Sequence, residues 1–129
     1  MINKTKGQIE AEISEAIIRF EKEFMGRGPL ETKTYIVDDL VIVRLKDVLT
    51  PAEKKLAETS DPNDGRVIIK RMRHALLEKG RPLLEAVISD LTKTSVLSVH
   101  TDLSTKTGEK IIVFTLEKKP FSDTATSGK

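Results

Sequence analysis

The chain has 129 residues, 38% of them hydrophobic and 33% charged, which predicts one highly soluble domain around one core. With four Phe, one Tyr and no Trp, that core has to be built mainly from Ile, Leu and Val. Set against 20 Asp+Glu, the 22 Lys+Arg give a net charge of +2, short of the basic balance of a dedicated nucleic-acid binder. The absence of cysteine removes disulfides, thiolate metal sites and cysteine nucleophiles together. Apolar runs are only a few residues long and the start MINKTKGQIEAE has no signal-peptide core, so no membrane span is expected and the expected compartment is the cytosol.

From Lys6 to Met25, Ile9, Ile13, Ala16, Ile17, Phe20 and Phe24 recur at helical spacing within about 100° of arc, which predicts an amphipathic helix. Gly26-Arg27-Gly28-Pro29 ends it, because glycine accepts a left-handed cap and proline disfavours helical geometry in the residue before it. Thr34 to Val37 and Leu40 to Leu45 are rich in β-branched residues and flank Asp38-Asp39, so they predict a hairpin. Thr50-Pro51-Ala52-Glu53 reads as a capping box opening a short helix from Pro51 to about Thr59. Ser60-Asp61-Pro62-Asn63-Asp64-Gly65 is expected to break it. From Arg66 to Thr92, Ile69, Met72, Leu76, Leu83 and Val87 keep one face in phase across Gly80-Arg81-Pro82, predicting one long helix, kinked or briefly broken. A second hairpin, Val96 to Leu103 and Lys110 to Leu116, turns around Lys106-Thr107-Gly108, and residues 119–129 read as a disordered tail dispensable for stability. The expected fold is α+β: a four-stranded antiparallel sheet from two hairpins, covered on one face by helices.

Gly26-Arg27-Gly28-Pro29 after the first helix, Leu49-Thr50-Pro51-Ala52-Glu53 after a hairpin, and His100-Thr101-Asp102 before the strand Val113-Phe114-Thr115-Leu116 together resemble the MpsC-like family, over roughly residues 5 to 118. That resemblance implies a small bacterial protein in a soluble accessory role. The family takes its name from association with a sodium-translocating, membrane-potential-generating system linked to inorganic-carbon supply, and the resemblance assigns no catalytic residue. It also implies a glycine between the long helix and the third strand, where this chain reads Leu91-Thr92-Lys93-Thr94-Ser95.

The chemistry-bearing residues are few. Arg27 lies in a segment whose Gly and Pro are explained by chain geometry, so its guanidinium either meets an anion or acidic partner or pairs with an internal carboxylate or carbonyls. Asp61, Asn63, Asp64 and Gly65 imitate a calcium loop, but the glycine is fifth and the twelfth position is Met72, so a turn and helix cap is the better reading. His74 and His100 sit on different elements, which argues against a metal site, and no cofactor loop or activated nucleophile is present in the sequence. His100 and Asp102 share one face of their strand. Arg66, Lys70, Arg73 and Arg81 form a basic stripe on the long helix, a candidate contact for phosphates or an acidic partner. Ile18 and Met25 on the first helix, with Leu84, Ile88 and Leu91 after Pro82, lie off the main apolar faces and predict a homodimer interface. The residues thus point to a non-enzymatic accessory or interaction domain, dimeric and binding a protein partner. A small-anion sensor using Arg27 and the basic stripe is the alternative.

Overall fold

In a computed structural model of the protein, described over residues 3–58 and 62–121, the chain runs α1 (Lys6–Met25), β1 (Glu31–Val37), β2 (Leu40–Lys46), α2 (Pro51–Ala57), α3 (Pro62–Thr92), β3 (Val96–Leu103) and β4 (Lys110–Leu116). The four strands form one antiparallel sheet in the order β1-β2-β4-β3, so the two hairpins join through β2 and β4. This is the expected α+β architecture. No described helix is long and apolar enough to cross a membrane.

Each terminus of α1 follows from its sequence. Thr5 and Gln8 make a reciprocal capping box, and Gly26 closes the helix at φ 84°. Gly28, by contrast, has no positive φ. The hairpin β1–β2 turns at Asp38, held at φ 56°, and the β3–β4 turn uses Gly108 at φ 77°. Where a glycine is implied after α3, Lys93 itself takes φ 60°.

Alternation along the strands separates two faces. Thr34, Ile36, Val41, Val43, Leu45, Ile112, Phe114 and Leu116 are buried and face the helices, where α1 packs on β1 and α3 packs on α1, α2 and β3. Glu10 of α1 accepts a hydrogen bond from the Ile36 N–H at 2.8 Å, which occupies a backbone donor on the edge strand β1.

The long helix departs from expectation in two ways. It begins at Pro62 and takes in Gly65, where a break between helices was predicted. Ser60 and Asp61, with the start of the imitation calcium loop, lie outside the described residues. Its buried positions are Gly65, Ile69, Arg73, Leu77, Gly80, Leu84, Ile88 and Thr92, in steps of three and four. Met72 and Leu83, predicted for the core face, are exposed instead. Half of the true stripe is not hydrophobic, so an apolar pattern could not reveal its phase. The helix runs on through Pro82.

The glycines in that stripe permit close packing. A Cβ on Gly65 would stand 2.1 Å from the Leu56 carbonyl oxygen of α2, and one on Gly80 would stand 2.5 Å from the Phe20 ring of α1. Phe20 in turn stacks on Phe24 with centroids 4.7 Å apart, so the ring has little room to retreat. At the chain's other end, Phe121 packs partly buried against the core, which anchors the first residues of the expected tail; residues 122–129 lie outside those described. Gly80→Ala is expected to lower stability by about 1–3 kcal/mol through overpacking, against the roughly 1 kcal/mol that alanine otherwise contributes in a helix. Urea denaturation of the variant beside the parent chain measures it.

Candidate functional site

Four charged side chains meet inside the fold, each 5% exposed or less: Glu21 of α1, Glu53 of α2, Arg73 of α3 and Lys110 of β4. Arg73 donates from Nε and Nη2 to the two carboxylate oxygens of Glu53 at 2.8 and 2.7 Å, and from Nη2 to the Val48 carbonyl at 2.8 Å. Lys110 Nζ donates to Glu21 Oε2 at 2.8 Å. The two pairs touch where Arg73 Nη1 comes within 3.6 Å of Glu21 Oε1. Among the described residues, neither of these last two atoms has a hydrogen-bond partner.

Glu53 is placed by the capping box predicted for α2, where its carboxylate also accepts from the Thr50 N–H. Burial pushes its carboxyl pKa up, but the hydrogen bonds from Arg73 and Thr50 and the guanidinium charge outweigh burial and hold it below the ordinary range.

A cleft of about 200 Å³ opens beside this cluster, between α3 and the β3–β4 hairpin. Lys70, Arg73, His74 and Leu77 line it from the helix, and Thr101, Asp102, Leu103 and Lys110 line it from the strands. Asp102 is an exposed group within 3.4 Å of Lys70. The Leu103 N–H and the Lys70 ammonium lower its pKa.

Of the predicted basic stripe, the fold brings Lys70 and Arg73 to this cleft. Arg66 is exposed and lines shallow grooves nearby with Thr105 and Lys106, while Arg81 pairs with Glu78 and Glu85 along its own helix. Arg27 lies apart from the stripe, at the β2–α2 connection. It donates from Nη1 to the carbonyls of Asp47 and Leu49, both at 2.6 Å, and from Nη2 to the Asp47 carboxylate at 3.0 Å. Those bonds, with Lys54, hold the Asp47 carboxyl below its usual pKa and help to fix Asp47 at φ 56°. His74 lines the cleft whereas His100 lies on the opposite face of the sheet. Among the described residues, no group of three His, Asp or Glu side chains could hold a metal ion.

Among the described residues, no helix covers the opposite face of the sheet. In register across it run Tyr35, Ile42, Val113 and His100, flanked by Val37, Leu40 and Thr115 on one side and by Lys33, Arg44, Ile111 and Asp102 on the other. Tyr35 and Val37 are 44% and 49% exposed. The apolar residues predicted for a dimer interface are instead largely absorbed by the chain's own core: Met25, Leu84 and Ile88 are buried there, and only Ile18 and Leu91 keep partial exposure.

The family model described as "Na+-translocating membrane potential-generating system (MpsC)" matches residues 5–118. The chain belongs to the MpsC family. It is 44% identical over 115 residues to the uncharacterized protein YbcI of Bacillus subtilis (strain 168), covering 89% of this chain and 90% of that relative. No solved structure matches.

Sequence reasoning passed over Glu21, Glu53 and Lys110 of this MpsC domain as site residues, although two carried a signal. Glu21 stands four residues after Ile17 on the apolar stripe of α1, and Lys110 shares its strand parity with Ile112, Phe114 and Leu116. A charge at a core-facing position in either element marks a buried polar site.

Two expectations follow. Arg27→Ala removes three internal hydrogen bonds and should lower the melting temperature by about 5 °C, the scale of one to a few kcal/mol for charge-assisted bonds in a domain this size; a thermal melt checks it. Because the Glu53 pKa is depressed in the folded state, its stabilising contribution is complete above the unfolded carboxylate pKa of about 4.3 and is lost as pH falls through the lower folded value. Denaturation between pH 6 and 2.5 should therefore show a stability loss starting near the ordinary carboxylate range, with a shallower acid slope in Glu53→Gln.

Proposed function

We propose that this MpsC domain is a non-enzymatic accessory module that works through protein–protein docking and assembles as a homodimer by its open sheet face. The observation that carries the reading is the row Tyr35, Ile42 and Val113, flanked by Val37, Leu40 and Ile111, on a sheet face that no helix covers among the described residues. A two-stranded hairpin pair covered on one side leaves this apolar surface in water, and face-to-face packing of two sheets about 10 Å apart removes it.

Charge favours a second copy as the occupant. The β1–β2 side of the face bears Lys33, Arg44 and Lys46, the last two paired within the chain with Glu109 and Glu31, whereas the β3 side bears Asp102, which lies 3.4 Å from Lys70. A two-fold axis parallel to the strands lays the β1 side of one copy over the β3 side of the other, so basic meets acidic twice. The helical side stays free for a further partner, and the family's description supports a membrane-potential-generating system as the setting.

Sedimentation velocity over a range of concentrations tests the assembly. The parent chain is expected to sediment as a dimer and Ile42→Glu as a folded monomer with an unchanged circular-dichroism spectrum. A parent chain that stays monomeric throughout, or an Ile42→Glu chain that stays dimeric, overturns the reading.

A further inference from the structure

The cluster at the α3–β3 cleft has more donors than it uses. Arginine carries five N–H groups and lysine three. Among the described residues, Nε and Nη2 of Arg73 are bonded and Nη1 is not, and Lys110 makes a single bond, to Glu21. Both residues line the cleft, whereas the carboxylates that balance them, Glu21 and Glu53, do not. The lining itself therefore holds three cations, Lys70, Arg73 and Lys110, against one carboxylate, the exposed Asp102. Thr101 adds a hydroxyl from the strand side. Buried donors left without acceptors are costly, and a volume of about 200 Å³ exceeds the roughly 30 Å³ share of one water.

We propose that this cleft binds a small oxoanion of phosphate or carboxylate size, received at its buried end by Arg73 Nη1 and Lys110 Nζ and at its rim by Lys70 and Thr101. A guanidinium edge beside an ammonium suits paired oxygens on one centre, and low exposure strengthens each bond. Glu21 opposes an anion from behind the cations. Its Oε2 is engaged by Lys110, and its Oε1 lies 3.6 Å from the same Arg73 nitrogen, so its single charge is already countered by two cations. Asp102 opposes from the rim, where it is exposed and its Oδ1 accepts from the Leu103 N–H and from Lys70.

The cleft and the open face lie on opposite sides of the sheet and share Asp102 at its β3 edge, so the dimer reading is tested at Ile42 and the cleft at Lys70 and Thr101. The test is a ¹⁵N NMR titration of the full chain with sodium phosphate, and separately with sodium acetate, at ionic strength held constant with chloride. Saturable shifts confined to Lys70–Leu77, Thr101–Leu103 and Lys110 are expected for at least one anion. Saturation by phosphate alone identifies a tetrahedral ligand, and saturation by acetate alone a planar one. Variants at Arg73 or Lys110 leave a buried carboxylate unpaired and risk unfolding, so the rim supplies the comparison. Lys70→Ala combined with Thr101→Val should bind about tenfold more weakly, the scale of one or two lost charge-assisted bonds, while Lys79→Ala should bind as the parent does. Shifts that fail to saturate with either anion, that spread evenly over exposed cations such as Arg19 and Lys118, or that are unaffected by the rim variants overturn the site.

Discussion

The buried bonding of Arg73 to Glu53 and of Lys110 to Glu21 is the constraint that fixes how this domain is put together. It draws one side chain each from α1, α2, α3 and β4, so the three helices are registered on the sheet by charge as well as by apolar contact. Removing charges from water costs several kcal/mol per ion, and the attraction within a pair returns that only when both partners arrive in the right geometry. The arrangement therefore tolerates little sliding. A helix shifted by one turn would strand a charge in the core, whereas isoleucine and leucine contacts alone would forgive it. Apolar residues of the same volume could hold the elements as firmly, so stability alone gives a poor reason for placing four charges here. The proposed anion site, in the cleft that Arg73 and Lys110 line, gives a better one.

Much of the fold was legible before any coordinates. The span of α1, the ends of β3 and β4 and both hairpin turns follow from helical or alternate spacing and from Gly, Pro and Asp at the bends. What could not be read is instructive. In α3 the buried stripe passes through Gly65, Arg73, Gly80 and Thr92, none of them hydrophobic, while exposed Met72 and Leu83 completed a competing pattern. The phase chosen from apolar spacing was therefore wrong by part of a turn. It assigned Arg73 to a solvent stripe and Leu84 and Ile88 to an outer surface.

The same error of phase explains how much of the candidate site was visible. Arg73 and Lys70 were selected for their charge, and both line the cleft, Arg73 as a buried residue rather than a solvent-facing one. Arg66 and Arg81, selected with them, lie beyond the cleft because a helical stripe four turns long cannot all face one short hairpin. Glu21 and Lys110 were passed over because the reading of α1 and β4 followed their apolar residues, although each charge stands at a core-facing position. Strand order was invisible as well: pairing β2 with β4 depends on contacts between residues some seventy positions apart, such as Val43 with Ile112, that no local pattern records.

The sheet joins the two surfaces while keeping their side chains separate. Lys110 and Ile111 are consecutive on β4, yet the first lines the cleft and the second belongs to the open face; Thr101 and His100 divide β3 in the same way. Alternation thus gives one strand two faces, Lys110 beside the buried Ile112, Phe114 and Leu116 on the helical side and Ile111 with Val113 on the open side. Tyr35 and Ile42 lie on the open face, on the half of the sheet farther from the cleft, and Lys70 belongs to the helical layer. Changes at these positions act on one surface at a time, so that the proposed assembly and the proposed anion site can be tested separately in a single small fold.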